Sequence, residues 1–257
     1  MIFDINTSTG HWPFRRVPNE KISELERLLK GKGIGGAAVV NTHGLFYKNC
    51  HDANLELSGA ISDRPFFAGV ATLNPLYPAW ERDLQDCAGK LGMKGLRIVP
   101  QYHNYQLSSP CAREILAAAV SLSLPVFIPV RVVDVRQRHW LDTGSVLGIK
   151  EIGELSLSVP GSRIIVTECP VYSYQVLSKN NEFLYPGLYF EISRMGSAYG
   201  QEIARLAGQI GAERLLFGSG SPFKEVTPAL LKLKSAGCTD QDKEKISHGN
   251  SRVLLGL

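Results

Sequence analysis

The chain has 257 residues, of which 44% are hydrophobic and 20% are charged, and its formal net charge at pH 7 is +4. These values are typical of a globular protein and exclude a disordered chain. The basic residues are scattered, which argues against nucleic acid or an anionic membrane as a partner. The length predicts one domain over residues 1–257.

Cysteine usage and the lack of a targeting segment indicate the compartment. The five cysteines are widely spaced, without a Cys-x-x-Cys pair, and this pattern favours free thiols in a reducing environment. The first residues do not have the pattern of a secretory signal. The longest uncharged run, residues 115–130, is shorter than the about 20 residues of a membrane helix. We therefore expect a cytoplasmic protein.

The first half of the chain alternates between predicted strands and helices. Apolar and small polar residues alternate from residue 2 to residue 8, which predicts a strand that ends with Asn6 and Ser8 on one side. Helical spacing of leucines follows over residues 22–29, and Gly31 ends it. Further strands are predicted over 34–40, 66–72, 94–99 and 126–130, with helices over 51–61, from Pro78 and from Pro110 between them.

The alternation continues through the second half. Helices are predicted over 145–157, 173–183 and 200–210, and strands over 163–167, 188–192 and 214–218. An eighth helix is predicted with Thr227 and Pro228 as its cap, a short helix from Thr239 with Asp242 in a capping box, and a last turn capped by Asn250.

Eight strand-helix units predict the α/β class and a closed parallel (β/α)8 barrel, the TIM barrel, as a single domain. The alternative is a doubly wound open sheet. It is disfavoured because no glycine-rich dinucleotide loop follows any strand. In a barrel, residues after the carboxyl ends of the strands line a shared mouth. The charged residues at these positions are Arg97, Arg131, Glu168, Glu191 and Arg194.

Four short motifs resemble the amidohydrolase-related (type 2) family of metal-dependent TIM-barrel hydrolases and decarboxylases. They are Trp-Pro-Phe at 12–14, Lys-Gly-Leu-Arg at 94–97, Arg-Leu-Leu-Phe-Gly-Ser at 214–219 with Pro-Phe at 222–223, and Gly-Asn at 249–250 before Leu-Leu at 254–255. The resemblance runs nearly end to end. It implies a hydrolase, and a homo-oligomer because members of that family often dimerise.

The resemblance also implies a metal site, and this chain departs from it. The family's first strand ends in a metal-binding His-x-His pair, where this chain has Asn6 and Ser8. The family's ligands after strands five, six and eight are replaced by Pro129, Glu168 and Gly220. A catalytic zinc needs about three strong donors. The sequence therefore predicts no bound metal and no other cofactor.

Three interpretations of the mouth follow. The arginines and glutamates could simply neutralise each other as structural ion pairs, since an unpaired charge there is costly. In a functional version, the barrel is a non-catalytic binder of a small anion, held as a carboxylate or phosphate near the turn at 218–221. The residues expected to bind it are Asn6, Arg97, His103, Arg131, Arg194 and Ser219.

The third interpretation is an active hydrolase or decarboxylase. It would use metal-free acid-base chemistry by Glu168 and Glu191. A relocated metal, bound by histidines of the mouth loops, is the other route to catalysis. The sequence leaves open whether the protein is an enzyme.

Overall fold

The structure, a computed structural model, describes residues 1–170, 178–179, 182–196 and 201–257. Eight parallel strands form one sheet in chain order. They are β1 (Phe3–Thr9), β2 (Gly36–Asn41), β3 (Phe67–Thr72), β4 (Gly95–Arg97), β5 (Val126–Pro129), β6 (Ile164–Thr167), β9 (Leu188–Glu191) and β10 (Leu215–Leu216). A separate antiparallel pair, β7 (Ser178–Lys179) and β8 (Glu182–Phe183), lies between β6 and β9 in sequence.

The first strand closes the sheet against the segment that contains and follows the last strand. Ile5 N donates to Phe217 O and Ser8 N donates to Ser221 O, both at 2.9 Å. In return, Gly220 N donates to Asn6 O at 2.9 Å. The predicted (β/α)8 barrel is therefore confirmed, and its strands bring residues far apart in sequence to one mouth.

Helices cover the outside of the barrel. They are α1 (Ile22–Gly31), α2 (Cys50–Ile61), α3 (Trp80–Gly89), α4 (Pro100–His103), α5 (Pro110–Ser121), α6 (Ile149–Ser158), α7 (Gln201–Ile210), α8 (Val226–Ser235), α9 (Asp240–Glu244) and α10 (Asn250–Leu255). The predicted cap of α9 is confirmed, since Thr239 Oγ1 accepts a hydrogen bond from Asp242 N at 3.1 Å. Within the described ranges, no helix is long and apolar enough to cross a bilayer.

Alternation along the strands separates two apolar layers. On β2, Ala37 and Val39 face the helices, whereas Ala38 and Val40 face the barrel interior. The interior cluster comprises Phe3, Ile5, Ala38, Ala68, Val70, Phe127, Ile165 and Leu216, and it is closed at the bottom by Leu254 and Leu255 of α10. Above the mouth, Trp12 packs edge-on against Phe14 and Phe223.

The helix predicted over 173–183 is wrong where the structure describes it. Residues 178–179 and 182–183 are antiparallel strands, in which Ser178 pairs with Phe183. The extended backbone lets Phe183 pack against Phe190, with ring centroids 6.4 Å apart, and beneath the guanidinium of Arg214. Residues 173–177 and 180–181 of the predicted helix lie outside the described residues.

Several predicted boundaries also shift. The helix predicted from residue 145 begins only at Ile149, and the eighth helix begins at Val226 with Glu225, not Thr227, as its N-cap. The segment that follows β4 opens with the short helix α4, because Pro100 is well placed in a first helical turn.

Asn250 does not cap the last turn as predicted. It lies inside α10, and Gly249 precedes it as the N-cap. Its side-chain Nδ2 donates to Ala212 O and to Leu215 O, each at 2.8 Å. The amide therefore fixes α10 beneath the barrel by satisfying two backbone carbonyls at the start of β10.

Shortening Leu254, one of the two leucines of α10 that close the bottom of the barrel interior, should destabilise the barrel. Leu254 is 4% exposed, whereas the adjacent Val253 is 78% exposed. We expect Leu254→Ala to lower the free energy of unfolding by about 2–4 kcal/mol through lost burial and a residual cavity. Urea unfolding of both variants checks this, with Val253→Ala as the control expected to change stability by less than about 0.5 kcal/mol. Equal losses of stability in the two variants would contradict a role of Leu254 in closing the barrel interior.

Candidate functional site

A pocket lies at the carboxyl ends of the strands, and we call it the mouth pocket. Its free volume is about 50 Å³. Its floor is apolar and belongs to the barrel interior, with Ile5, Ala38, Val70 and Phe127. Its polar and charged walls come from Asn6, Ser8, Arg97, Arg131, Glu168 and Ser221. Four of the residues predicted to form the site, Asn6, Arg97, Arg131 and Glu168, thus line one pocket.

Arg97 is a buried cation on the pocket wall. It is 7% exposed. Its Nε donates to Thr72 Oγ1 at 2.9 Å and its Nη2 donates to Asn41 O at 2.7 Å. Both acceptors are neutral, and the part of the chain that the structure describes gives Arg97 no carboxylate partner. Burial lowers the pKa of Arg97 to about 10, so the side chain remains charged at pH 7.

Glu168, in contrast, is fully compensated. Its Oε2 accepts from Arg194 Nε at 2.5 Å, and its Oε1 accepts from Asn6 Nδ2 at 2.9 Å. Lys224 Nζ lies 3.6 Å from Oε1. Burial pushes the pKa of Glu168 upward, but Lys224, Arg194 and Asn6 outweigh it and hold the pKa below the ordinary value. An arginine was predicted to pair with Glu168 or Glu191, and the structure shows Arg194 paired with Glu168.

Glu191 supports Glu168 from behind. Glu168 has φ of +57°, a left-handed conformation that costs a residue with a side chain about 1–2 kcal/mol. Glu191 Oε1 accepts from Glu168 N at 2.7 Å, and Ser193 N donates to Glu191 Oε2 at 2.7 Å. Burial, and then the charge of Glu168, raise the pKa of Glu191. Glu191 is fully buried and does not line the mouth pocket.

Asp134 connects three arginines at the rim. It accepts from Arg194 Nη1 at 2.9 Å, from Arg131 Nη2 at 3.3 Å and from Arg136 Nε at 3.0 Å. The hydrogen bond from Arg136 is the main reason that the pKa of Asp134 is held well below its ordinary value. The charge of Arg131 is therefore shared with a carboxylate, unlike that of Arg97.

The turn at 218–221 uses its amides within the protein. Ser219 N donates to Asp4 Oδ1 at 3.0 Å, Gly220 N to Asn6 O at 2.9 Å, and Ser221 N to Ser219 Oγ at 3.1 Å. These three amides are not free to hold an anion. Ser219 itself is fully buried and lies outside the lining of the mouth pocket.

His103 also lies outside that lining. Its Nε2 is 3.0 Å from Gly44 O and 3.7 Å from Cys50 Sγ. Burial lowers the pKa of His103 to about 4, so the ring is neutral at pH 7. Its contacts connect the loop after β2 with α4, behind the wall that carries Arg97.

The residues at the family's ligand positions do not fit a divalent metal. Glu168 is the one carboxylate among them, and two cations already contact it. At Gly220, an added Cβ would lie 2.6 Å from Glu168 Oε1, so a side chain there would collide with the Glu168 carboxylate. Across the described ranges, no group of three or more His, Cys, Asp or Glu residues is placed to hold a metal ion.

Sequence reasoning did not identify Lys224 or Asp4, and it included Ser221 only as a member of the turn at 218–221. Lys224 had no signal, because an isolated lysine after a strand is usually a solvated surface charge. Ser221 lines the mouth pocket, and its buried Oγ has no hydrogen-bond partner in the described structure. Asp4 had a usable signal, since it is the one charged residue of β1 and lies between the apolar Phe3 and Ile5. It is fully buried and its Oδ1 accepts from Ser219 N and from Asn6 N.

The comparison with protein families agrees with this geometry. The family model described as amidohydrolase matches residues 15–257. The chain belongs to the amidohydrolase family. No curated protein matches this amidohydrolase-family chain by sequence.

Solved structures show the same fold. The chain is similar to the 5-carboxyvanillate decarboxylase of Sphingomonas paucimobilis, at 14% identity, with a TM-score of 0.79, over 100% of this chain and 99% of that chain. It is similar to the 2,6-dihydroxybenzoate decarboxylase of Rhizobium, at 17% identity, with a TM-score of 0.73, over 99% of this chain and 98% of that chain.

A dihydroxybenzoic acid decarboxylase from Polaromonas sp. JS666 is similar at 17% identity, with a TM-score of 0.76, over 100% of this chain and 97% of that chain. That structure has bound manganese and the inhibitor 2-nitroresorcinol. The amidohydrolase barrel is thus shared with a manganese-containing protein, while the donors at the mouth of this chain differ from a metal-binding set.

Asp4 should make the stability of the barrel depend on pH. Burial raises the pKa of Asp4 from 3.8 to about 7. The folded state binds this proton more tightly than the unfolded chain does. Protonated Asp4 therefore contributes its full stabilisation of the folded state below pH 3.8, and this stabilisation is lost as pH rises to about 7. We expect Asp4→Asn to gain stability relative to the wild type by up to about 3–4 kcal/mol between pH 4 and pH 7.5.

Urea unfolding across this pH range measures the effect. Asp63→Asn is the matched control, because Asp63 is 78% exposed. A constant difference between Asp4→Asn and the wild type at all pH values would contradict the protonation of Asp4.

The contact between position 220 and Glu168 can be tested separately from backbone strain. Gly220 has φ of +75° and Gly33 has φ of +80°, but an added Cβ at Gly33 meets no atom within 4 Å. We expect Gly33→Ala to lower the free energy of unfolding by about 1 kcal/mol through strain alone, and Gly220→Ala to lower it by at least about 1 kcal/mol more. Urea unfolding compares them, and equal losses would contradict the crowding at Glu168.

Proposed function

We propose that this protein is a metal-independent member of the amidohydrolase family whose mouth pocket binds a small anionic molecule without converting it. The observation that carries the proposal is the buried guanidinium of Arg97, which lines the pocket and has no carboxylate partner in the described structure. An uncompensated buried charge is strongly destabilising. A bound anion would neutralise it.

The pocket has donors for such an anion. Arg97 uses Nε and Nη2 for neutral oxygens, and Nη1 makes no hydrogen bond within the described residues. The Ser221 hydroxyl is buried in the same lining without a partner. A guanidinium N–H and a hydroxyl are both good donors to a carboxylate, and the charged one forms the stronger bond.

In this proposal, two side chains of the protein supply the positive charge that a metal ion would otherwise supply at Glu168. Arg194 and Lys224 contact the Glu168 carboxylate at 2.5 Å and 3.6 Å. Two fixed cations at this position remove the need for a metal to balance the acid. The family's metal centre is, in this proposal, lost and replaced by ion pairs.

Metal-free catalysis by Glu168 and Glu191 is the second candidate. It is favoured by their adjacent carboxylates, whose pKa values shift in opposite directions, as in known acid-base pairs. Binding without turnover is preferred because both Glu168 oxygens are held by Arg194, Asn6 and Lys224, and Glu191 is not in the pocket lining.

Anion titration after chelator treatment tests the proposal. We expect inorganic phosphate or a small carboxylate, at constant ionic strength, to raise the melting temperature of the chelated wild type by several degrees, because the ligand binds only the folded state. The shift should vanish in Arg97→Met and persist in Arg27→Met, which removes an exposed arginine of α1. Differential scanning fluorimetry measures it.

Three results would contradict the proposal. They are no shift with any anion, a shift that Arg97→Met leaves unchanged, or one equivalent of zinc or manganese in protein purified without chelator. Any turnover found with the same compounds, if lost in Glu168→Gln, would favour the catalytic candidate instead.

A further inference from the structure

On the basis of the proposed function, we infer that the anion is a short aliphatic monocarboxylate, of the size of acetate or propionate. Its carboxylate is held by Arg97, and its alkyl group lies on the apolar floor of the mouth pocket. Three features of the pocket, namely its charge, its donors and its size, lead to this class of ligand.

The charges of the pocket lining favour a ligand with a single negative charge. The lining contains two arginines, Arg97 and Arg131. Arg131 contacts the carboxylate of Asp134, whereas Arg97 has no acidic partner in the described structure. The opposite wall holds the ionised carboxylate of Glu168. A second negative charge on the ligand would find only Arg131, which already contacts Asp134, and would be repelled by Glu168. Dicarboxylates and the phosphate dianion are therefore disfavoured.

The kind of donor in the lining favours a carboxylate over a phosphate. Phosphate sites commonly use several backbone amides at a turn or a helix N-terminus. Here the amides of Ser219, Gly220 and Ser221 donate to protein oxygens instead. The donors that remain are side-chain groups and include Arg97 Nη1, Ser221 Oγ and the buried Nε of Arg131. The planar guanidinium of Arg97 suits a planar carboxylate.

The size and polarity of the pocket select a short alkyl group. Its free volume of about 50 Å³ is roughly one third of the about 150 Å³ cavity known to bind benzene. An aromatic acid therefore exceeds it. The floor at Ile5, Val70 and Phe127 has no polar side chain to satisfy a ligand hydroxyl. Each methylene buried there should improve the dissociation constant about fourfold.

Isothermal titration calorimetry of the chelated wild type tests the inference. The probes are sodium formate, acetate, propionate, butyrate, benzoate, succinate and phosphate at equal ionic strength and pH. We expect the dissociation constant to fall about fourfold per carbon from formate to propionate. Benzoate, succinate and phosphate should bind at least tenfold more weakly than propionate.

Two valines of β2 provide a matched pair for the size limit. Val40 lines the mouth pocket, whereas Val39 faces the helices. We expect Val40→Ala to enlarge the pocket and raise the preference for butyrate over propionate at least threefold. Val39→Ala removes the same atoms from the other face of the strand and should leave that preference unchanged.

Arg97→Met should weaken every carboxylate at least tenfold, and circular dichroism checks that the variant is folded. If Arg97→Met does not fold, Ser221→Ala is used in its place, because this substitution removes a hydroxyl that has no hydrogen-bond partner in the described structure. Ser221→Ala should weaken the binding of propionate about threefold to tenfold. Neither variant alters the floor of the pocket.

The outcomes separate this inference from the proposed function. If phosphate, succinate or benzoate binds most tightly, and the Arg97 or Ser221 variant loses that binding, the ligand is not a short monocarboxylate. The proposed function would then still hold. The absence of any anion whose binding depends on Arg97 or Ser221 would overturn both. Propionate-selective binding that follows Val40 but not Val39 supports both.

Discussion

The mouth of the barrel depends on how the charge of Glu168 is balanced. Its carboxylate is buried, which is costly without a partner, and Arg194 and Lys224 supply the opposite charge at 2.5 Å and 3.6 Å. Its left-handed backbone is held by Glu191, which accepts the Glu168 amide. Because Gly220 has no side chain, the carboxylate can occupy the space beside it. Two cations, one residue with a left-handed backbone and one glycine together fix the Glu168 carboxylate at the mouth.

Arg97 shows the opposite arrangement on the facing wall. It is as buried as Glu168, but its two hydrogen bonds go to neutral oxygens. Within the described residues, the mouth pocket thus holds one acid that contacts two cations and one cation, Arg97, without an acidic partner. The apolar floor of the mouth pocket lies beside this charge, and Phe223, which packs on Trp12, lines the same pocket. In such surroundings a charge-assisted hydrogen bond is stronger than in water.

Much of the fold was predictable because each element buries its own apolar pattern. Strands such as residues 34–40 and 126–130 are continuously apolar, as strands covered on both faces must be, and their order predicted closure. The failures occurred where a tertiary contact overrode the local pattern. Phe183 was assigned to a helix but packs on Phe190 from a strand, and Asn250 was assigned to a cap but bonds the carbonyls of Ala212 and Leu215.

The sequence alone determined the barrel, because the alternation of strand and helix patterns sets it, and four short motifs indicated the family by resemblance. It also predicted that an arginine pairs with Glu168 or Glu191. The tertiary structure decided which arginine does so and added Lys224, which no local pattern marks as buried. It also left Arg97 without an acidic partner, since the pairing of charges depends on distances between side chains that lie tens of residues apart in sequence, such as Glu168 and Lys224. Those distances exist only after the eight strands have closed.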